Sequence, residues 1–321
     1  MLRALRSNTP TPGNLDYRSL QTSTLWQGDM ADEQRTEKPE ICISIDVERD
    51  YRVDRRVTVR GIAEGLPVYL DALHSLEIPH DLFVSGEVVA ELSSGVFGGD
   101  GLAALGSHGL THEPGVRSYL NRKTRPIIEH ELQKATEHIR SRFGRSPSHF
   151  RAPNFSTSAQ TISVLERLGY RSDSSILPGR HVRRWRTLPL LDHRNAPLDP
   201  YHPDPLSILQ QGSSSILEIP VTPNPFQAGS PLGLGFLHHA GLESFIRAIA
   251  HLESRYVILL AHSWEMVSWR RQDSVEGWVP QASSSSPKLL QGLVERFGGS
   301  KFVNMDRILA QVEDRAIGNP G

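Results

Sequence analysis

Residues 41–48 read ICISIDVE, and this segment decides the expected fold. Its first five residues predict a buried β-strand, and the carboxylates of Asp46 and Glu48 follow at the carboxyl end of that strand. Further along the chain, strand-like apolar runs alternate with amphipathic segments, which is typical of parallel strands joined by crossover helices. Arg151 and His262 also follow apolar runs. The sequence therefore predicts an α/β barrel-like fold with its functional side chains at the carboxyl ends of strands.

The expected elements are short and evenly distributed. Strands are predicted at residues 41–45, 82–84, 149–151, 216–221, 256–261 and 302–303. Apolar residues at helical spacing predict helices within 62–73, 128–139, 162–168, 242–252 and 289–294, followed by a closing helix. Ser156, Thr157 or Ser158 is expected to cap the third of these helices. Residues 178–215 are rich in Pro, Arg, His and Ser, and we interpret them as a long irregular surface excursion.

Composition narrows the class of protein. The chain has 35 Lys and Arg residues against 36 Asp and Glu residues, so no global field favours nucleic acid or an anionic membrane as a partner. The longest apolar runs are far below the ~18 residues that a membrane span needs. Cys42 is the single cysteine, which excludes an intramolecular disulfide, and we expect it to be a small buried hydrophobe.

The amino-terminal segment differs from the rest of the chain. Residues 1–39 are polar and contain the sequence TPTPG, so we expect a disordered lead, or sequence upstream of a true start at Met30. Arg3 and Arg6 are not followed by the apolar segment of a secretory signal, which favours a cytoplasmic location. Residues 40–315 are expected to form one catalytic domain.

Two histidines complete a set of metal-binding residue types. His108 and His112 are four residues apart, so on a helical turn that follows a tight loop both imidazoles would lie on one face. Such pairs are common on protein surfaces, and the Asp46-x-Glu48 pattern alone could merely cap an element. Together, however, the two segments offer the nitrogen and oxygen ligands of a hydrolytic zinc site that keeps one position open for water. The combination predicts a metal-dependent hydrolase.

Two further segments carry candidate catalytic residues. Arg151 opens the sequence RAPNFS, where it either pairs with a carboxylate and keeps it ionised or lies on the surface before a proline turn. His262 is either a satisfied core residue or a catalytic acid in a pocket. The adjacent Trp264 and Glu265 favour the pocket, because Trp can form an apolar wall and Glu can orient the imidazole ring.

The order of these segments resembles that of the polysaccharide deacetylases, the NodB-homology group of carbohydrate esterase family 4. The matching segments are DVE at 46–48, HGLTH at 108–112, RAPNFS at 151–156, DSS at 173–175 and HSWE at 262–265. The chain resembles the branch whose first motif reads Asp-Val-Glu rather than Asp-Asp-Gly, over about residues 40–304. The resemblance implies a distorted (β/α) barrel, one divalent metal ion, most often zinc, and hydrolysis of an amide on a sugar or a similar small group.

The same resemblance implies roles for individual residues. The implied metal ligands are Glu48, His108 and His112. Asp46 would be the general base, Arg151 its partner and His262 the general acid that protonates the departing amine. The residues expected to contact substrate are Trp264, Pro153 and Asn154.

The expected function is removal of an N-acetyl or similar acyl group from an amino sugar in a glycan or a glycan precursor. Since a secretory signal is not recognised, a lipid-linked or nucleotide-linked precursor is favoured over assembled polysaccharide. Three alternatives remain: a non-sugar amide hydrolase of the metal-independent allantoinase-like branch, a deformylase of a lipid-linked amino sugar, and a non-enzymatic glycan-binding barrel. The full set of ligands and catalytic residues argues against the metal-independent hydrolase and against the non-enzymatic barrel. Ser263 departs from the proline common in the final motif.

Overall fold

The computed structural model describes residues 38–51, 53–54, 56–113, 115–184, 187–270, 272 and 286–318. Apart from residues 38 and 39, the expected lead and the possible start at Met30 lie outside these residues. The strands are β1 (Glu40–Val47), β2 (His80–Val84), β3 (Ala103–Ser107), β4 (His149–Phe150), β5 (Ser172–Asp173), β6 (His181–Arg184), β7 (Leu188–Asp192), β8 (Pro203–Asp204), β9 (Ser207–Gln211), β10 (Leu217–Glu218) and β11 (Tyr256–His262). The α-helices are α1 (Leu66–Ser75), α2 (Arg125–Phe143), α3 (Ala159–Leu168), α4 (Leu234–Ala240), α5 (Leu242–Ala250), α6 (Ser286–Phe297) and α7 (Met305–Gly318).

Seven parallel strands form one curled sheet in the order β10-β5-β4-β3-β2-β1-β11. The gap between the outer strands β10 and β11 is bridged by residues that follow β10, through irregular hydrogen bonds rather than a ladder. Thr222 donates its backbone N–H to the Ile258 carbonyl at 3.1 Å and accepts the Ile258 N–H at its hydroxyl at 2.7 Å. Gly233 forms a single bridge with Leu260. The expected distorted (β/α) barrel is confirmed.

Strand β1 shows why the barrel has a polar interior. Its odd-numbered residues join the apolar cluster that also contains Leu66, Tyr69 and Leu73 of α1. Because successive side chains of a strand alternate between faces, the even-numbered residues point the other way, into the barrel. Ser44 and Asp46 both bond there to the same arginine. The apolar run in the sequence is therefore the outer face of a strand whose inner face carries chemistry.

Helix α7 closes the amino-terminal end of the barrel. The backbone N–H of Met305, at the start of α7, lies 3.2 Å from both carboxylate oxygens of Asp81. The Cys42 thiol donates to Asp81 at 3.1 Å, and burial raises the pKa of both groups. Cys42 is buried in an apolar cluster as expected, and its thiol also bonds to a polar side chain.

Most of the expected elements are present. The apolar runs at 41–45 and 256–261 are β1 and β11, and Ser158 is the residue that caps α3, its hydroxyl accepting the Thr161 N–H at 3.2 Å. The strand expected at 216–221 is only the two residues of β10. At 302–303, Phe302 makes one isolated bridge to Ile41.

Most described residues of 178–215 are at least partly exposed, as expected of a surface excursion, but the interpretation of the segment as irregular is wrong. This segment contains two antiparallel hairpins, β6/β7 and β8/β9. Each hairpin has a shift of register, at Val182/Arg183 and at Pro203/Asp204, which interrupts the alternation that would reveal a strand in the sequence. A backbone hydrogen-bond pair between Tyr201 and Glu218 attaches the segment to the sheet.

Strand β3 and helix α4 were also not expected. β3 reads AALGS, whose small side chains carry little strand signal. Small residues are required there because a Cβ on Gly106 would lie 2.5 Å from the Phe83 ring. Helix α4 spans only seven residues, too few for a helical period to be visible.

The contact between Gly106 and Phe83 gives a stability prediction. Gly106→Ala should lower the free energy of unfolding by about 1–3 kcal/mol, because the added methyl group forces the Phe83 ring to move inside a packed barrel. Gly99→Ala is the control, since a Cβ there meets no atom within 4 Å, and it should change stability by less than about 0.5 kcal/mol. Urea unfolding measures both. Equal stability of the two variants would contradict the packing described.

Candidate active site

The candidate catalytic residues gather at the carboxyl ends of β1, β3, β4 and β11, where they line a cavity of about 80 Å³. The residues expected from the sequence that line it are Asp46, His108, His112, Arg151, Asn154 and His262. The cavity therefore accommodates a small chemical group.

Glu48, His108 and His112 form a group that can hold a metal ion. Their ligand atoms all lie within 4.8 Å of one another, and no other such group occurs among the described residues. His108 Nε2 lies 3.5 Å from Glu48 Oε2, and His112 Nδ1 contacts the same oxygen. The other ring nitrogen of His108, Nδ1, lies 3.0 Å from the Arg151 carbonyl oxygen. That acceptor favours the tautomer that leaves Nε2 free as a ligand, so this donor set fits a divalent ion such as zinc.

The expected helical turn between His108 and His112 is wrong. After β3 the chain continues as a loop, in which Gly109 has a φ of +72° and packs against Pro153. The two imidazole rings lie 5.3 Å apart between centroids. Glu87, which follows β2, fixes the far end of this loop by accepting the His112 N–H at 3.1 Å. The spacing of the histidines is thus explained by a glycine-dependent loop and not by helical periodicity.

A fully buried arginine lies beneath this group. Arg151 donates to Asp46 Oδ1 at 2.8 Å, to the Ser44 hydroxyl at 2.9 Å, and to the hydroxyl and carbonyl of Ser174 at 3.0 and 3.1 Å. Its guanidinium also stacks 4.2 Å from the Phe83 ring centroid. The charge of Asp46 is therefore compensated on one side, while its second oxygen lies 3.8 Å from His108 Nε2. This leaves one carboxylate oxygen directed towards the metal-binding group.

His262 is held by its own turn. Its Nδ1 lies 2.9 Å from Glu265 Oε1, and Tyr69 of α1 donates to the other oxygen of Glu265 at 3.2 Å. The ring stacks on Trp264 with centroids 4.4 Å apart. Burial lowers the pKa of His262, but the hydrogen bond and charge of Glu265 outweigh it and the pKa is raised. This environment favours the protonated imidazole, which can act as an acid.

The residues expected to contact substrate occupy different positions. Asn154 lines the cavity, and its amide donates to Ser118 at 2.8 Å. Pro153 packs beneath Gly109, outside the cavity lining. Trp264 also lies outside the lining, with its indole nitrogen 3.5 Å from Glu48. Substrate contact by these residues stays a prediction.

Sequence reasoning missed several residues of the site. Arg180 lines the cavity, with its guanidinium 5.4 Å from the Phe155 ring and donating to the Gly229 carbonyl at 2.8 Å. Nothing in the surrounding sequence pattern singles this arginine out. Ser44 could have been found, because it lies two residues before Asp46 on the same face of a strand.

An open groove of about 570 Å³ lies beside the metal-binding group. It is lined by Tyr51, Glu113, Val116, Arg117 and Arg184. The Tyr51 ring meets the His112 ring edge-on, at 6.4 Å between centroids. A small cavity and a much larger groove thus lie near the same histidine.

Comparison with known proteins agrees with the resemblance noted in the sequence. The family model for polysaccharide deacetylase matches residues 37–172. No curated protein matches the sequence. Within the described residues, no helix combines the length and apolar character needed to cross a membrane.

Solved structures of this fold resemble the chain at low sequence identity. A candidate polysaccharide deacetylase from Mycobacterium smegmatis is 16% identical, with a TM-score of 0.56 over 88% of this chain and 93% of that chain. A carbohydrate esterase family 4 pseudoenzyme from Bacillus anthracis is 13% identical, with a TM-score of 0.46 over 86% and 66%. A family 4 carbohydrate esterase from Streptomyces lividans is 12% identical, with a TM-score of 0.45 over 83% and 91%. The first of these similarities supports the fold.

The contact between His262 and Glu265 gives a titration prediction. Glu265→Gln should lower the pKa of His262, because the amide keeps the shape of the side chain but removes the charge that opposes the effect of burial. NMR titration of the imidazole ring measures this pKa. Glu64→Gln, at an exposed carboxylate paired with Arg60, is the control and should leave it unchanged. An unaltered pKa in Glu265→Gln would show that the carboxylate does not govern the histidine.

Proposed function

The chain contains a polysaccharide deacetylase domain, and from this premise we propose that it is a metal-dependent hydrolase that removes an acetyl or similar small acyl group from an amino sugar. The observation that carries the proposal is the convergence of Glu48, His108 and His112 on one point beside Asp46 and His262. Three ligands, a compensated carboxylate and a histidine held by a carboxylate are the parts that metal-assisted amide hydrolysis needs.

We assign the metal to Glu48, His108 and His112, with zinc as the ion that best suits this mixed set of nitrogen and oxygen donors. A divalent ion held there would polarise the amide carbonyl and lower the pKa of a bound water towards ~7. The chain supplies the proton acceptor. Asp46 uses one oxygen to bind Arg151, and its other oxygen is free to take a proton from the attacking water.

His262 completes the reaction in this proposal. Hydrolysis of an amide needs a proton on the departing nitrogen, because an amide anion is a very poor leaving group. His262 lines the same cavity as Asp46, and Glu265 keeps its ring oriented and favours its charged form. The two residues therefore act in sequence, the carboxylate as base in the attack and the imidazolium as acid in the departure.

The shape of the site supports a small acyl group on a larger molecule. The cavity of about 80 Å³ suits an acetyl or formyl group, and the adjoining groove of about 570 Å³ leaves room for sugar rings. We propose a glycan precursor, lipid-linked or nucleotide-linked, as the substrate. The lone buried Cys42 suits a reducing compartment, and we place the reaction in the cytoplasm.

Metal content tests the ligand assignment. Protein purified without chelator should hold about one zinc-like ion per chain, and Glu48→Ala and His112→Ala should each lose it, because two remaining ligands bind weakly. Elemental analysis of the folded variants measures this. His130→Ala, at an exposed position of α2, is the control and should keep the ion. A His112→Ala variant that retains the full amount of metal would overturn the assignment.

The proposed acid gives a separate prediction. His262→Ala should retain the metal but lose about 10²–10⁴-fold in kcat on N-acetylated amino sugars, which is the usual contribution of a positioned acid. KM should change little, since the imidazole acts on the leaving nitrogen. Steady-state kinetics beside metal analysis separates the two effects. Turnover equal to that of His130→Ala would exclude this role for His262.

A further inference from the structure

Two buried carboxyl groups lie in contact behind the active site. Asp173 of β5 and Glu218 of β10 are opposite each other in the register of the two strands, and their carboxyl groups interact. Neither residue is more than 1% exposed to solvent. Two carboxylates in contact and away from water cannot both be ionised, so a proton must lie between them.

The surrounding donors decide which group holds the proton. Asp173 accepts hydrogen bonds from the hydroxyls of Ser175 and Thr157, the latter at 3.0 Å. Glu218 accepts one donor, the Ile176 N–H at 2.9 Å. Asp173 is therefore the ionised partner, and Glu218 is the protonated group that donates to it.

The pKa values agree with this assignment. Burial raises the pKa of Asp173 to about 6. Burial, followed by the charge of Asp173, raises the pKa of Glu218 well above its usual range. The charged and titratable groups that face the pair are Arg151, which lowers the pKa of Glu218, and Tyr201, whose hydroxyl donates to the Ile208 carbonyl. The two carboxyl groups titrate as one unit.

The pair is connected to the loop that carries Arg151. Ser175, held by Asp173, accepts the backbone N–H of Ala152 at 2.7 Å, and Thr157 at the other end of the loop donates directly to Asp173. The intervening Asn154 and Phe155 have φ values of +56° and +60°, a conformation that non-glycine residues adopt only when their surroundings impose it. Asp173 thus holds both ends of a strained loop, residues 151–157, one directly and the other through Ser175.

We propose that Asp173 and Glu218 are positioning residues for the reaction: a carboxyl pair that shares one proton, fixes loop 151–157, and so holds Arg151 against Asp46. This inference rests on the proposed function for the role of Asp46 as base. The fixing of the loop follows from its hydrogen bonds, and the sharing of the proton follows from the strand register and the burial of the two carboxyl groups. They are tested without substrate.

The test compares two replacements of similar size. Glu218→Gln keeps a donor to Asp173, whereas Glu218→Leu leaves the ionised Asp173 buried without it. In hydrogen–deuterium exchange, the peptide that covers residues 151–157 should exchange about tenfold faster in Glu218→Leu, since a buried acceptor loses its partner, and at the wild-type rate in Glu218→Gln. Glu313→Gln, at an exposed carboxylate of α7, is the control. Equal exchange in the Gln and Leu variants would overturn the proposal.

The pH dependence of stability gives a second test, which stands even if Glu218→Leu fails to fold. The folded wild type binds more protons than the unfolded chain above pH ~4, because both carboxyl pKa values are raised on folding. The wild type should therefore lose stability relative to Glu218→Gln as the pH rises from 5 to 9. A difference in melting temperature that stays constant over this range would overturn the shared proton.

Kinetics then tests the positioning of Arg151. Glu218→Leu should lose about tenfold in kcat while KM and metal content stay near the wild-type values, and Glu218→Gln should restore kcat. Loss of metal together with activity would indicate general disruption and contradict the positioning role. If the wild type lacked deacetylase activity, the proposed function would fail. Hydrogen–deuterium exchange and the pH dependence of the melting temperature would still test whether Asp173 and Glu218 share a proton.

Discussion

The interior of the barrel is organised around one buried ion pair, Arg151 with Asp46. A guanidinium without access to water must have its donors paired within the protein, since an uncompensated buried charge costs about 3–5 kcal/mol. The chain meets this demand with Ser44 and Ser174 beside the arginine and the face of Phe83 against it. Phe83 in turn requires a glycine on the neighbouring strand. The serines around Arg151, the position of Phe83 and the glycine at 106 are thus linked to keeping one positive charge inside the barrel.

Much of the fold could be predicted from the sequence because its outer face is strongly apolar. The runs that became β1 and β11 have alternating or continuous hydrophobic residues, and helices α2, α3 and α5 have clear helical stripes. Asp46, Arg151 and His262 could be identified because parallel strands bring their carboxyl ends to one edge of the sheet. Their position directly after apolar strands was thus sufficient to place these residues at one edge of the sheet.

The remaining features depend on tertiary contacts that leave no local pattern. The loop between His108 and His112 depends on the packing of Gly109 against Pro153, and these two residues are far apart in the sequence. The hairpins within 178–215 contain bulges that break the alternation of a strand. Arg180 reaches the cavity from that same segment. In each case the conformation is set by a partner elsewhere in the chain, so neither spacing nor composition could reveal it.

The pairing of β1 with both β2 and β11 has a consequence for synthesis. Asp46 lies opposite Phe83 on one side and His262 on the other, so β1 receives one neighbour soon after it is made and the other only near the end of translation. Until residues 256–262 emerge from the ribosome, a long apolar strand keeps one edge of unpaired backbone groups, the arrangement most prone to aggregation. The candidate ligands Glu48, His108 and His112 are by then already made. A nascent chain can therefore contain all three of these residues well before it can close the barrel.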